Sequence, residues 1–317
     1  MSKLKVSVSP HIRSKRTTQS IMLDVIIALV PALAASVFLF GFRALLLTAV
    51  SIAACVLFEF LYEILLKKPV TIGDLSAVVT GILIAFNVPV DMPVWQLIVG
   101  DFFAIVIAKQ LFGGLGRNFM NPALVGRIVM MFSFTASITT YTMPSGTIDA
   151  LSSATPLVAM ESLGWKNFMT LFLGVHGGTI GETCSLALLL GGIYLCVVKV
   201  IKPVIPLCFI GSVMFFTWIF GGQQPVLSVF AGGLLLGAIF MATDYVTSPI
   251  TNLGKAVFGV LCGLITALIR VFGNYAEGIT FSIILANILV PYIDKLTMHR
   301  PLGAADTGKK KKKEAGA

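Results

Sequence analysis

The sequence predicts an all-α polytopic membrane protein of about ten transmembrane helices, a number that two inverted five-helix repeats would accommodate. Three observations carry this. Of 317 residues, 57% are hydrophobic and only 12% charged, and the mean hydropathy is +0.96, well outside the range of a water-soluble domain. Apolar runs recur near the length of roughly 20 residues that a helix needs to cross a bilayer core. Lys and Arg gather beside alternate runs, which is the asymmetry that orients membrane helices. The net charge of +9 is therefore a topology signal and implies no nucleic-acid partner, because the basic residues flank hydrophobic segments and the aromatics lie inside them.

Residues 1–20 form a basic, polar cytoplasmic segment unlike a cleaved signal peptide, so the first helix serves as its own insertion signal. The first transmembrane half, 21–135, holds candidate spans at 21–40, 44–66, 76–88, 94–112 and 120–135. The third is short and runs into NVPVDMP, where two prolines stop it, so it reads as a half-helix. Residues 136–183 form a more polar outer-face loop region. The second half, 184–294, holds spans at 184–200, 204–220, 225–241, 256–272 and 278–294. Residues 295–317 form a basic tail ending in GKKKKKEAGA, suited to water or to an anionic lipid surface.

With the N-terminus in the cytoplasm, 20 of the 23 Lys and Arg residues fall on the inner side and only Arg43, Lys166 and Arg270 on the outer side, as expected for a bacterial inner-membrane protein. An even number of spans returns the C-terminus to the cytoplasm. Five spans per half give the halves opposite sense, the arrangement of inverted repeats. The breaks GGLGRNFMNPALVG (113–126) and FMATDYVTSPITNLGK (240–255) echo each other in composition and each leads into an apolar helix. The five cysteines are scattered singly, without spacing that could cage zinc or an iron–sulfur cluster, and read as small buried hydrophobes.

Three polar features stand out from this apolar background. The first is IDALSSATPL, 148–157, on the outer face. Thr155 before Pro156 reads either as a helix N-cap or as an attachment site. In the second reading the small residues Ser152, Ser153 and Ala154 let a transferase approach the backbone, and the proline holds Thr155 extended. The two are compatible, since an anionic phosphodiester gains from a helix N-terminus. The second is GGLGRNFMNPALVGR, 113–127, which reads as a helix connection with Pro122 starting the next helix. Asn118 and Asn121 nevertheless place amides at the membrane boundary, where each needs a partner, and the carbonyl and N–H edge of an isoalloxazine would match them. The third is intramembrane charge. Asp101 and Glu59 sit within spans, while Asp24, Glu63, Lys109, Arg127 and Arg270 lie nearer span ends, where snorkelling would account for them. Asp101 reads as a hydrogen-bond partner of a neighbouring helix or as a part of an ion or flavin site. Asp244, at a helix break, suits a cation or a polar ligand.

The motif D-x-x-S-x-A-T, here Asp149, Ser152, Ala154 and Thr155, resembles the flavinylation motif in which FAD donates FMN to a threonine hydroxyl under an extracytoplasmic flavin transferase; Ser153 stands where Gly is usual. Together with N-F-x-N-P-A-x-x-G-R, SPHIRS followed by IMLDVIIALVPA, and MATDYVTSP, it resembles the family of the Rnf complex D subunit over nearly the whole chain. The paralogous B subunit of the sodium-pumping NADH:quinone oxidoreductase shares these motifs but usually has a longer N-terminal extension. The resemblance implies ten membrane helices, covalent FMN on Thr155, a second noncovalent flavin, riboflavin, within the membrane part, and electron transfer between ferredoxin and NAD coupled to sodium or proton export. It also implies other Rnf subunits as partners. This agrees with the absence of a cluster-binding cysteine pattern or a dinucleotide fingerprint, so the subunit is expected to be inactive alone. A flavin-free secondary transporter or channel is the alternative, because inverted halves and broken helices belong to that class as well.

Overall fold

A computed structural model describes residues 16–144, 168–221, 224–273 and 278–298, and regular structure among them is helical. Helix α1 spans Thr18–Phe40 and starts where the Thr17 hydroxyl accepts the Ser20 N–H while the Ser20 hydroxyl accepts the Thr17 N–H, a reciprocal cap that hydropathy does not register. Gly41, at φ 79°, turns the chain directly into α2, Phe42–Leu65. Helix α3 is Ser76–Phe86. Helix α4 is Val94–Phe102 and continues as a π-helix over Phe103–Gln110. Helix α5 is Pro122–Ser133, followed by the short α6, Thr135–Thr139.

The second half contains α7, Phe168–Leu173, then α8, Ser185–Val197, and α9, Val204–Gly221. Helix α10 is Pro225–Phe230, and α11 is Leu234–Leu236 with a π-helical continuation over Gly237–Met241. Helices α12, Asn252–Phe272, and α13, Ile279–Thr297, complete the fold. Among these, α1, α2, α9, α12 and α13 are long and apolar enough to cross a membrane, and α3, α5 and α8 are shorter apolar helices. The chain is a polytopic membrane protein.

The same packing order occurs twice. In the first half α2 lies against α3 and α4, and α4 against α5; in the second α9 lies against α10, α11 and α12, and α12 against α13. The halves meet through α1 on α8 and α5 on α13. Small residues permit these approaches, as expected where lipid gives helices no hydrophobic reason to associate. A Cβ on Gly191 of α8 would overlap the Ala28 carbonyl of α1, and one on Gly126 of α5 would lie 2.8 Å from the Gly100 carbonyl of α4.

Two helices are broken, and both are buried. Ten of the eleven residues of α3 are buried, consistent with the half-helix expected there. The single span expected over 225–241 is instead divided at Ala231-Gly232-Gly233, because Gly232 adopts φ 72° and leaves the helical region. Buried helix ends need partners for their last carbonyls. For α3 these come from far along the chain: the Ile180 N–H donates to the Val88 carbonyl (3.0 Å) and the Gly181 N–H to the Phe86 carbonyl (2.9 Å).

Arg43 and Arg270, two of the three basic residues assigned to the outer side, have similar tasks. Arg43 Nε donates to the Val90 carbonyl just after α3 (2.8 Å), and Arg270 Nη1 donates to the Ser228 carbonyl of α10 (2.7 Å). Their departure from the basic asymmetry has a structural reason.

Candidate functional site

The break between α4 and α5 and the break between α11 and α12 come together in space. Between them, α1, α3 and the end of α8 lies a cleft of about 810 Å³ of non-atom space, its open mouth included. Its walls are largely apolar, with Val25, Leu83, Leu195 and Phe240 among them, and its polar groups are Asn118, Asn121, Asp244, Lys109, Ser76, Thr80, Thr243 and Tyr245. The two asparagines singled out from sequence thus line one cavity, together with Asp244.

The two asparagines do different work. Asn121 is the N-cap of α5, with its Oδ1 accepting the Ala123 N–H (3.0 Å) ahead of Pro122. Its Nδ2 donates to the Met241 carbonyl at the end of α11 (3.1 Å). In the orientation that satisfies both ends of its own amide, Asn287 of α13 accepts from the Asn121 N–H (3.3 Å) and donates to the Thr247 carbonyl (3.0 Å). Asn121 therefore ties the two breaks together. Asn118 makes one local bond, Nδ2 to the Met120 carbonyl (3.0 Å), and interacts with the Asp244 carboxyl, which leaves its Oδ1 facing fewer demands. Asp244 also accepts from the Thr247 hydroxyl (3.1 Å). Burial pushes the Asp244 carboxyl above the usual carboxylate range, against the opposing pull of the bonds from Thr247, Val246 and Asn118.

At the floor of the cavity lies a buried ion pair that sequence reading missed. Lys109 Nζ is 2.7 Å from Glu59 Oε1 and 3.0 Å from Oε2, and it also donates to Ser76 Oγ at 2.6 Å. Snorkelling was the expectation for Lys109, Glu63 and Arg127, yet they are 2%, 2% and 4% exposed. Each reaches inward because a partner lies there: Glu59 for Lys109, the Thr71 hydroxyl and N–H for Glu63, and Asn87 Oδ1 for Arg127 at 2.6 Å. The π-helical stretch of α4 lets two consecutive residues converge, since Gln110 Nε2 also reaches Glu59, at 2.7 Å. The signal available in the sequence was the pairing of an intramembrane acid with an intramembrane base.

Asp149, Ser152 and Thr155, the residues of the attachment motif, lie outside the described residues. So do most of the basic N-terminal segment and almost all of the C-terminal tail.

Residues 5–303 match the model of the NQR2, RnfD, RnfE family. The chain belongs to this family. Its relatives are similar over nearly their full lengths. One is the D subunit of the Na(+)-translocating ferredoxin:NAD(+) oxidoreductase complex of Acetobacterium woodii, 45% identical over 99% of this chain and 98% of that protein. Another is the D subunit of the proton-translocating ferredoxin:NAD(+) oxidoreductase complex of Clostridium ljungdahlii, 41% identical over 92% and 94%. A third, the D subunit of the ion-translocating oxidoreductase complex of Actinobacillus succinogenes, is 36% identical over 96% and 99%. The first two are named for different ions at nearly equal identity, so overall similarity to members of this family does not choose the ion.

Proposed function

We propose that this chain is the D-type membrane subunit of an ion-translocating ferredoxin:NAD oxidoreductase complex, carrying FMN esterified to Thr155 and a second, noncovalent flavin, riboflavin, in the cavity beside Asn118. The observation that carries the reading is full-length similarity to D subunits combined with the D-x-x-S-x-A-T motif and a cavity on which both inner-side asparagines converge.

The cavity suits a flat ring system with one polar edge. Apolar walls from α1, α3 and α8 would hold the ring faces, while the Asn118 amide and the Asp244 carboxyl would meet donor and acceptor atoms. Lys109, the cation among the described lining residues, is already neutralised by Glu59, which favours an uncharged flavin over a phosphorylated one. A bound flavin supplies one- and two-electron transfer; the protein supplies position, dielectric and exclusion of water. Asn121 acts indirectly, by fixing the distance between the two loops that form the cavity.

On this reading the membrane is the bacterial inner membrane, with both termini cytoplasmic. The outer-face FMN is installed by an extracytoplasmic flavin transferase, and electrons arrive from and leave to other subunits. The test is the denatured chain. In-gel fluorescence and intact mass are expected to show one FMN less water, and Thr155→Val removes that increment while the subunit still inserts. A chain from a flavinylating host with no increment, or with the adduct mapped to Ser152 or Ser153, overturns the attachment assignment.

A further inference from the structure

The cavity makes no use of most of the polar groups buried along α2. Glu63, Glu59, Cys55 and Ser51 succeed one another every four residues and so share one helix face, and all four are buried. Glu63 opens onto a polar vestibule lined also by Lys68, Asp74, Gln110 and Arg117. One turn deeper, Glu59 holds Lys109 and Gln110. A turn beyond that, the fully buried Cys55 thiol lies close to Asp101 of α4. The Ser51 Oγ then lies 2.7 Å from Asp101 Oδ1 and 2.9 Å from the Gly81 carbonyl of α3. Past Ser51, toward the face opposite the vestibule, the inward-facing side of α2 holds Leu47, Ala44 and Thr48, whose hydroxyl is spent on the Ala44 carbonyl (2.8 Å), and Leu97 of α4 is likewise fully buried and apolar.

The bonds around Ser51 have a chemical requirement. A hydroxyl carries one proton, yet Ser51 sits between two acceptors, a carbonyl and a carboxylate. Both contacts are satisfied if the carboxyl carries a proton, so that Asp101 donates to Ser51 and Ser51 donates to Gly81. Asp101 is fully buried, and its Oδ2 has no hydrogen-bond partner among the described residues, which an ionised carboxylate in hydrocarbon would not tolerate.

We propose that Asp101 is a proton-binding site, loaded from the vestibule by way of Glu59, Lys109 and Cys55 and closed toward the opposite face. Hydronium in the vestibule gives one proton to the Glu59–Lys109 pair and becomes water, as an O–H or N–H bond of the pair breaks to pass a proton inward; the Cys55 sulfur gains that proton as its own S–H bond breaks toward Asp101. The pair and the thiol end unchanged, the carboxylate of Asp101 becomes a carboxylic acid, and no electron moves. The site requires neither flavin nor partner subunits, so its test is separate from that of the flavin reading.

The experiment is infrared spectroscopy of the purified full-length chain in lipid nanodiscs. A carbonyl stretch of a protonated carboxyl is expected, lost in Asp101→Asn and displaced in Asp101→Glu, the second variant serving if the first does not fold. On transfer to D2O the wild-type band is expected to shift, and the paired variant Glu59→Gln with Lys109→Met is expected to slow that shift at least tenfold while the band persists. Absence of any protonated-carboxyl band that responds to either Asp101 variant overturns the proposal. Exchange at the wild-type rate in the paired variant overturns the route.

Discussion

Single residues separate what the cavity binds from what builds it. Asn118→Leu is expected to release an acid-extractable flavin at a smaller cost in thermal stability than Asn121→Leu, because its bonds, to the Met120 carbonyl and the Asp244 carboxyl, cap no helix. Asn121→Leu removes both a helix cap and the tie to Met241, so it is expected to cost about 1–3 kcal/mol as well as flavin, read as a lower unfolding temperature in detergent. Retention of flavin by both variants would reduce this loop to a helix connection. Asp244 adds a pH dependence. Its folded-state pKa is raised, so its contribution is present at acid pH, below the unfolded value, and is lost as pH rises through the folded value. Asp244→Asn is accordingly expected to flatten the decline in unfolding temperature that sets in as pH rises from the ordinary carboxylate range. The two asparagines were legible in the sequence because amides at a membrane boundary demand partners. Lys109 was not, because its partner Glu59 stands fifty residues away on another helix and only the fold brings them together.

At the scale of elements, hydropathy sufficed for the long helices and failed at breaks and caps. Helix α12 was expected from residue 256 but starts at Asn252, because the Thr251 hydroxyl accepts the Gly254 N–H and carries the helix past the polar start that hydropathy discards. The division between α10 and α11 was hidden because leucines surround the glycines and keep the average apolar. Glycines that look equivalent in sequence differ sharply in place. A Cβ on Gly181 would run into the Phe86 side chain, whereas one on Gly211 within α9 would meet nothing within 4 Å beyond its chain neighbours and its own helix backbone. Gly181→Ala is expected to cost about 1–3 kcal/mol and Gly211→Ala to be neutral or stabilising by up to about 1 kcal/mol. Thermal unfolding of the pair checks this, and equal effects would mean that the loop carrying Gly181 does not dock on the end of α3.

For the whole molecule, fusions of topology reporters after residues 68, 117, 202 and 300 are expected to signal cytoplasm, and a fusion near 150 the outside. A cytoplasmic signal at 150 would remove both the orientation and the attachment site. The repeated packing order was only faintly legible in the sequence, as two compositionally similar breaks, because what repeats is the choice of neighbours and not the letters. The docking of Ile180 and Gly181 on the end of α3 also bears on biosynthesis. Helix α3 has eleven residues, too few to span a bilayer core, and two of the carbonyls at its buried end find donors only in residues that the ribosome adds after the whole first half is complete. Until then this segment has no stable place in hydrocarbon. The nascent first half is expected to hold this segment at the insertion machinery or at the interface until the loop carrying Ile180 and Gly181 has been made.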